Sequence, residues 1–171
     1  MEYFLIVLCL IGSAFFSGTE IAYTSLSKLK MKQQEDSKRG IQRLVNFIYN
    51  HYDFALSTVL VGNNLVNIAA TSLATVLAVN LAVSSGLTNE AAASIVTVVM
   101  TFVILVVGEI TPKMVARRLS EAFAKMAAYP LLVLMILFFP VVFLTSCIVK
   151  VLSNLWKKKD SQEVTITEEE L

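Results

Sequence analysis

The residues of this sequence that could do chemistry are carboxylates, carboxamides and hydroxyls within long apolar runs. Glu109 follows the uncharged stretch 102–107 and Gly108, and it shortly precedes Pro112 and Lys113. A charge at membrane depth costs about 2.5 to 3.5 kcal/mol even on lenient insertion scales, so it needs a partner or a function. Pro112 lacks an N–H and leaves the carbonyl near Gly108 without its helical partner. The stretch predicts a broken helix lining a polar site, or else a helix end where Glu109 and Lys113 form an interfacial pair.

Two other clusters have the same character. Ser17, Glu20 and Thr24 recur at helical spacing, which puts two hydroxyls and a carboxylate on one helix face. Such a face points toward protein or a cavity, unless Glu20 only caps the helix or snorkels to an interface. Asn63 and Asn67 are four residues apart and offer two carboxamide oxygens on one face. Buried asparagines can also serve only as interhelical hydrogen-bonding groups.

Taken together, three separated segments supply oxygen ligands with one or two carboxylates. This set suits a hard cation such as Mg2+, Ca2+ or Na+ and argues against zinc or copper. We expect no enzymatic activity, because the sequence offers no nucleophile with a base, no paired histidines and no phosphate-binding glycine loop. The single histidine, His51, is predicted to lie at an interface, and Cys9 and Cys147 are predicted to pack within apolar runs.

The elements that must position these residues are membrane-spanning helices. The chain has 171 residues, of which 56% are hydrophobic and 16% charged, with a mean hydropathy of +0.71. This composition is that of a membrane protein. Apolar runs predict spans at about 3–27, 54–83 and 91–112, the first being a retained span and not a cleaved signal. The Lys- and Arg-rich loop after the first span predicts an N-terminus outside and a cytoplasmic C-terminus.

A fourth uncharged run, 127–149, is also long enough to cross a membrane. Lysines follow it, and Pro130 and Pro140 interrupt it, so we predict that it forms two shorter helices that do not cross. The predicted fold is an all-α membrane protein with three transmembrane helices and a belt of cytoplasmic-side juxtamembrane helices, at about 41–50 and 120–155. Residues 1–156 would form a transmembrane transport domain. A capping-box pattern within 157–171 predicts the start of a cytoplasmic region of a longer protein.

Three motifs in this order resemble the transmembrane domain of the CNNM/CorC family of magnesium transporters. They are FFSGTEIAYTSLS at 15–27, TVLVGNNLVNI at 58–68 and VVGEITPKMVARR at 106–118. The resemblance implies a multi-pass protein of the plasma membrane that forms homodimers and exports Mg2+ in a sodium-dependent way, with a cytoplasmic CBS pair downstream. The sequence departs mildly from the family's pattern at Thr19, a position where serine is common.

The resemblance also implies roles for particular residues. The implied magnesium ligands are Ser17, Asn63, Asn67, the Gly108 carbonyl and Glu109. Four residues are implied as support or as a possible sodium site: Glu20, Thr24, Pro112 and Lys113. The leading hypothesis is a secondary transporter that exports Mg2+ while Na+ moves inward. The alternative is a membrane scaffold or magnesium sensor, whose bound ion stabilises helix packing without being transported.

Overall fold

The computed structural model describes residues 1–27, 40–85, 88–145 and 147–149, and these residues are almost entirely helical. No β-strand occurs among them. In chain order the elements are α1 (Glu2–Thr24), α2 (Gly40–Asn50), α3 (Tyr52–Ser85), α4 (Asn89–Val103), a π-helical stretch (Ile104–Ile110), α5 (Thr111–Arg118) and α6 (Ser120–Leu137), after which residues 139–145 and 147–149 are again helical. The predicted basic loop at 28–39, the turn residues 86–87 and the tail from 150 onward, with its lysines and capping box, lie outside the described residues.

Four helical segments in this part of the chain are long and apolar enough to cross a membrane, one more than the three predicted. They are α1, α3, the continuous segment Asn89–Arg118, and α6. The count differs because Pro130 does not interrupt α6, which runs through it to Leu137. Proline is tolerated in membrane helices where neighbouring groups satisfy the freed backbone. The interruption falls instead at Phe138, and Pro140 lies in the first turn of the helical segment that follows, where a missing N–H breaks no helical hydrogen bond.

The core of the bundle is the antiparallel pair α1 and α3. The two helices run in opposite directions, so each turn of α1 faces a particular turn of α3. The contacts that fix this register are Gly12 with Val66, Ser13 with Asn63, Phe16 with Gly62, and the hydroxyls of Thr24 and Tyr52 at 2.7 Å. We call the end where α1 finishes and α3 begins the basic end, because the Lys- and Arg-rich segment connects the two helices there. A Cβ atom on Gly62 would overlap the Phe16 ring, so glycine permits this close approach.

Both ends of α6 lie near the basic end of the bundle. Close to its start, the Tyr23 hydroxyl donates to the Ala124 carbonyl at 3.2 Å. Just beyond its last residue, the rings of Phe139 and Phe54 have centroids 5.8 Å apart. An α-helix of this length extends about 27 Å, so a helix parallel to the bundle axis would carry Phe139 to the opposite end. α6 therefore lies across the basic end.

α2 completes this end of the molecule. Val45 and Ile48 are buried in the main apolar cluster, which also includes residues of α1, α3 and α6. Phe47 and His51 instead line an apolar groove of about 480 Å3, with Phe54 and the end of α6. His51 is exposed, and its Nδ1 atom lies 2.9 Å from the Phe47 carbonyl oxygen. Among the cysteines, Cys9 packs against a small buried cluster between the helices, in keeping with its predicted packing role.

Candidate cation site

Ser13 on α1 joins two of the predicted ligands. Its side chain is fully buried, and its hydroxyl oxygen lies 3.2 Å from Asn63 Oδ1 and 3.3 Å from the Gly108 carbonyl oxygen. A hydroxyl has one proton to donate, so two acceptor oxygens from different helices converge on a single donor. Convergent oxygens are also what a hard cation requires. Sequence reasoning missed Ser13, although it lies four residues before Ser17 and extends the same polar face.

The Gly108 carbonyl reaches Ser13 because of the local backbone. A Cβ atom on Gly108 would lie 2.7 Å from Ser13 Oγ, so only glycine allows α1 this close. In a regular α-helix the Pro112 ring would clash with the carbonyl of Gly108, four residues earlier. Here the helix is π-helical from Ile104 to Ile110, and the Thr111 N–H donates to the Val106 carbonyl. The prediction of a broken helix was wrong: the helix is continuous and widened, a geometry frequent at functional sites.

Asn67 and Glu109 form the second part of the site. Asn67 Nδ2 donates to Glu109 Oε1 at 3.2 Å, which joins α3 to the π-helical stretch. Asn67 Oδ1 is buried and has no hydrogen-bond partner among the described residues. Beside this pair, a surface groove of about 430 Å3 is lined by Thr71, Ser72 and Thr101 together with apolar residues such as Ile104 and Leu105. The Glu109 carboxylate therefore borders a largely apolar groove that also contains three hydroxyl-bearing residues.

Ser17 is the third part, and it stands apart from the other two. It lies one helical turn beyond Ser13 toward the basic end and is only 1% exposed. Its hydroxyl oxygen, like Asn67 Oδ1, has no hydrogen-bond partner in the described structure. A buried polar group left unsatisfied costs about 1 to 3 kcal/mol, and such groups in native proteins often mark a binding site for an ion or water, or a functional role. Two of the predicted ligand oxygens are therefore buried and unpartnered.

The residues predicted as support are engaged in contacts between helices. The Lys113 ammonium lies 3.1 Å from Glu20 Oε2, so Lys113 pairs with α1, and the interfacial pair with Glu109 proposed as the alternative does not form. The Thr24 hydroxyl donates to the Glu20 carbonyl at 2.7 Å and also contacts the Tyr52 hydroxyl. Thr24 therefore ties α1 to the start of α3, while Glu20 and Lys113 tie α1 to α5.

The donor set at the centre of the bundle is dominated by neutral oxygens. Within the described part of the chain, no group of three or more His, Cys, Asp or Glu side chains could hold a metal. An ion bound here would be held by hydroxyl, carboxamide and carbonyl oxygens together with the single carboxylate of Glu109. This donor chemistry fits Mg2+ or Na+ and does not fit a thiolate- or imidazole-seeking metal.

The fold and the site together define a membrane-embedded helical domain with an oxygen-lined polar centre. The family model described as the Cyclin M transmembrane N-terminal domain matches residues 4–171, so the chain belongs to this family and the resemblance to CNNM/CorC proteins is confirmed. A UPF0053 protein of Haemophilus influenzae is 34% identical over 99% of the chain and 39% of its own length. The UPF0053 inner membrane protein YfjD of Escherichia coli is 34% identical over 84% of the chain and 32% of its own length.

A plant relative shows the same similarity. A chloroplastic DUF21 domain-containing protein of Arabidopsis thaliana is 34% identical over 98% of the chain and 25% of its own length. The chain thus spans between a quarter and two fifths of the length of these relatives.

Proposed function

We propose that this chain is the membrane domain of a secondary transporter that exports Mg2+ while Na+ moves inward. The observation that carries the proposal is the pair of buried, unpartnered oxygens, Ser17 Oγ and Asn67 Oδ1, together with the Glu109 carboxylate that Asn67 contacts from the neighbouring helix. An ionisable group in such a place marks a substrate or ion pathway by default. Family membership places the chain among membrane domains with these motifs.

In this proposal the ion takes the place of protein hydrogen bonds. Ser17, Asn63, Asn67 and the Gly108 carbonyl would supply neutral oxygens, and Glu109 would supply the charge. Ser13 now lies within hydrogen-bonding distance of two of these oxygens, so an entering cation would replace the Ser13 hydroxyl, which stays protonated, as their partner. Mg2+ requires near-octahedral geometry at about 2.0 to 2.1 Å and usually keeps several waters, so water would complete the shell. Glu20, Thr24, Pro112 and Lys113 remain the residues proposed as support or as a possible sodium site.

The proposed membrane topology has three spans, with the N-terminus outside and the basic end in the cytoplasm. α6 supports this count because both its ends lie at the basic end of the bundle. The belt formed by α2 and α6 would then lie in the inner leaflet of the plasma membrane. We further propose that the protein forms a homodimer and that a CBS pair follows downstream. Both proposals concern a protein as long as the relatives described above.

Ion flux in liposomes tests the proposed function. The full-length protein would be reconstituted in vesicles loaded with a Mg2+-sensitive dye, and a Na+ gradient would then be imposed. We expect Mg2+ movement driven by the Na+ gradient, its loss in Glu109→Gln and its retention in Glu90→Gln, a matched carboxylate change in the first turn of α4. Transport is contradicted, and the scaffold or sensor hypothesis favoured, if Mg2+ binds with normal affinity and no flux occurs.

A further inference from the structure

The Glu20–Lys113 ion pair lies between the candidate cation site and the basic end. On α1, Glu20 follows Ser17 by three residues, and on α5, Lys113 follows Glu109 by four. These offsets correspond to about 4.5 and 6 Å of helical rise toward the basic end. The two charged groups meet across the helices at 3.1 Å. The ion pair therefore lies about one helical turn closer to the basic end than the site does, on both helices.

The surroundings of the pair are closely packed. Ala22 on α1 and Ala116 on α5 are both fully buried, and a Cβ atom on Gly18 would overlap the ring of Phe123 from α6. The side chains of Lys113 and Glu20 keep exposed fractions of 34% and 25%. The two charged side chains are thus partly exposed, while Ser17, one turn away, is almost completely buried. The pair lies between the basic end and the buried site.

The other side of the site is arranged differently. Asn67 and Glu109 border the groove of about 430 Å3 between α3 and α4, which lies on the far side of Glu109 from Lys113. This arrangement leaves the site bordered by a groove on one side and by an ion pair on the other. A transporter needs such an asymmetry, since alternating access requires that one route be closed while the other is open.

We propose that the Glu20–Lys113 pair is the gate that closes the cation pathway at the basic end, an inference that rests on the proposed transport function. While the pair is intact, the Lys113 ammonium neutralises Glu20 and repels any cation that approaches from the basic end. When Lys113 moves away, the Glu20 carboxylate faces the pathway and attracts the cation. The π-helical stretch directly before α5 is the place where α5 can shift relative to α4.

The neutral double variant E20Q/K113Q tests the gate in liposomes. It keeps the side-chain lengths and can form a carboxamide hydrogen bond, but it removes the ammonium and the attraction that holds the gate shut. We expect Mg2+ leak without a Na+ gradient to rise at least about tenfold, as for a barrier lowered by about 1.4 kcal/mol. The charge-swapped E20K/K113E variant restores the pair and should return the leak toward the wild-type level. A folded E20Q/K113Q protein with unchanged or lower leak would overturn the gate, because a purely structural ion pair predicts that result.

A second measurement separates the gate from the transport function. In a C9A/C147A background, Ser17→Cys reports access to the site through its reaction rate with a hydrophilic thiosulfonate reagent, which needs no transport. We expect slow labelling with the pair intact and labelling at least about tenfold faster with E20Q/K113Q. Unchanged labelling overturns the gate even if Na+-driven flux is observed. Faster labelling in a protein that moves no Mg2+ would uphold the gate and refute the proposed function alone.

Discussion

The contact between Gly108 and Ser13 offers a direct test of how the site is assembled. A methyl group added in Gly108→Ala would place Cβ 2.7 Å from Ser13 Oγ and 3.1 Å from Ser13 Cβ. Ser13 is fully buried and already bonded to Asn63, so it cannot turn away without losing that bond. The π-helical stretch must instead move away from α1.

The cost of this change follows from two effects. Overpacking a close-packed interior costs about 1 to 3 kcal/mol, and losing the hydrogen bond from Ser13 to the Gly108 carbonyl costs a further 0.5 to 1.5 kcal/mol, roughly. We expect Gly108→Ala to lower the free energy of unfolding by about 1.5 to 4.5 kcal/mol. The double variant S13G/G108A should regain the steric part, because the atoms that clash with the new methyl group are gone.

Reversible unfolding in mixed detergent micelles, followed by circular dichroism, measures these differences. Gly40→Ala is the matched control, since a Cβ atom there meets nothing within 4 Å, and it should leave stability unchanged or slightly raised. The double-mutant cycle isolates the coupling between Ser13 and Gly108. The close approach is refuted if Gly108→Ala is as stable as Gly40→Ala, or if the two substitutions at 13 and 108 are additive.

Three further predictions follow from other contacts. Asn67→Ala should weaken Mg2+ binding about tenfold in calorimetry, whereas the exposed neighbour Asn64→Ala should not; equal effects would remove Asn67 from the site. Tyr23→Phe loses its hydrogen bond to the α6 backbone and should lower the free energy of unfolding by about 1 kcal/mol; an unchanged melting curve would contradict that contact. Single cysteines at 88 and 154 should react with impermeant reagents from opposite sides of the membrane, and labelling of both from outside would refute the three-span proposal.

Much of the helical layout follows from local sequence patterns. Uncharged runs of sufficient length predict helices, and the structure has helices at those places. The juxtamembrane helix predicted at about 41–50 corresponds to α2, where Val45 and Ile48 are buried. Whether Pro130 breaks the helix could not be predicted from the local sequence. A proline interrupts a membrane helix or not according to whether neighbouring groups satisfy the freed backbone groups.

The site was predictable in its residue types and less so in its pairings. Glu109 and Asn67, which the resemblance implies as ligands of one ion, are hydrogen-bonded to each other. The partner of Lys113 was not predictable, because local spacing favours Glu109 while the actual partner, Glu20, lies far away in the chain. Ser13 went unnoticed because a single hydroxyl in an apolar run also fits helix packing. Tertiary contacts determine which residues pair with one another, and the spacing of residues along one helix does not reveal those contacts.

The most direct test of the cation site is Mg2+ affinity in Glu109→Gln, measured by calorimetry on the folded full-length protein. A carboxamide can still accept the hydrogen bond from Asn67, so the fold should persist. At an effective dielectric constant of 20, a unit charge pair 4 Å apart is worth about 4 kcal/mol, and the ion carries two charges. We therefore predict at least a roughly hundredfold loss of affinity, with Glu90→Gln unchanged. Wild-type affinity in folded Glu109→Gln would contradict the assignment of the site.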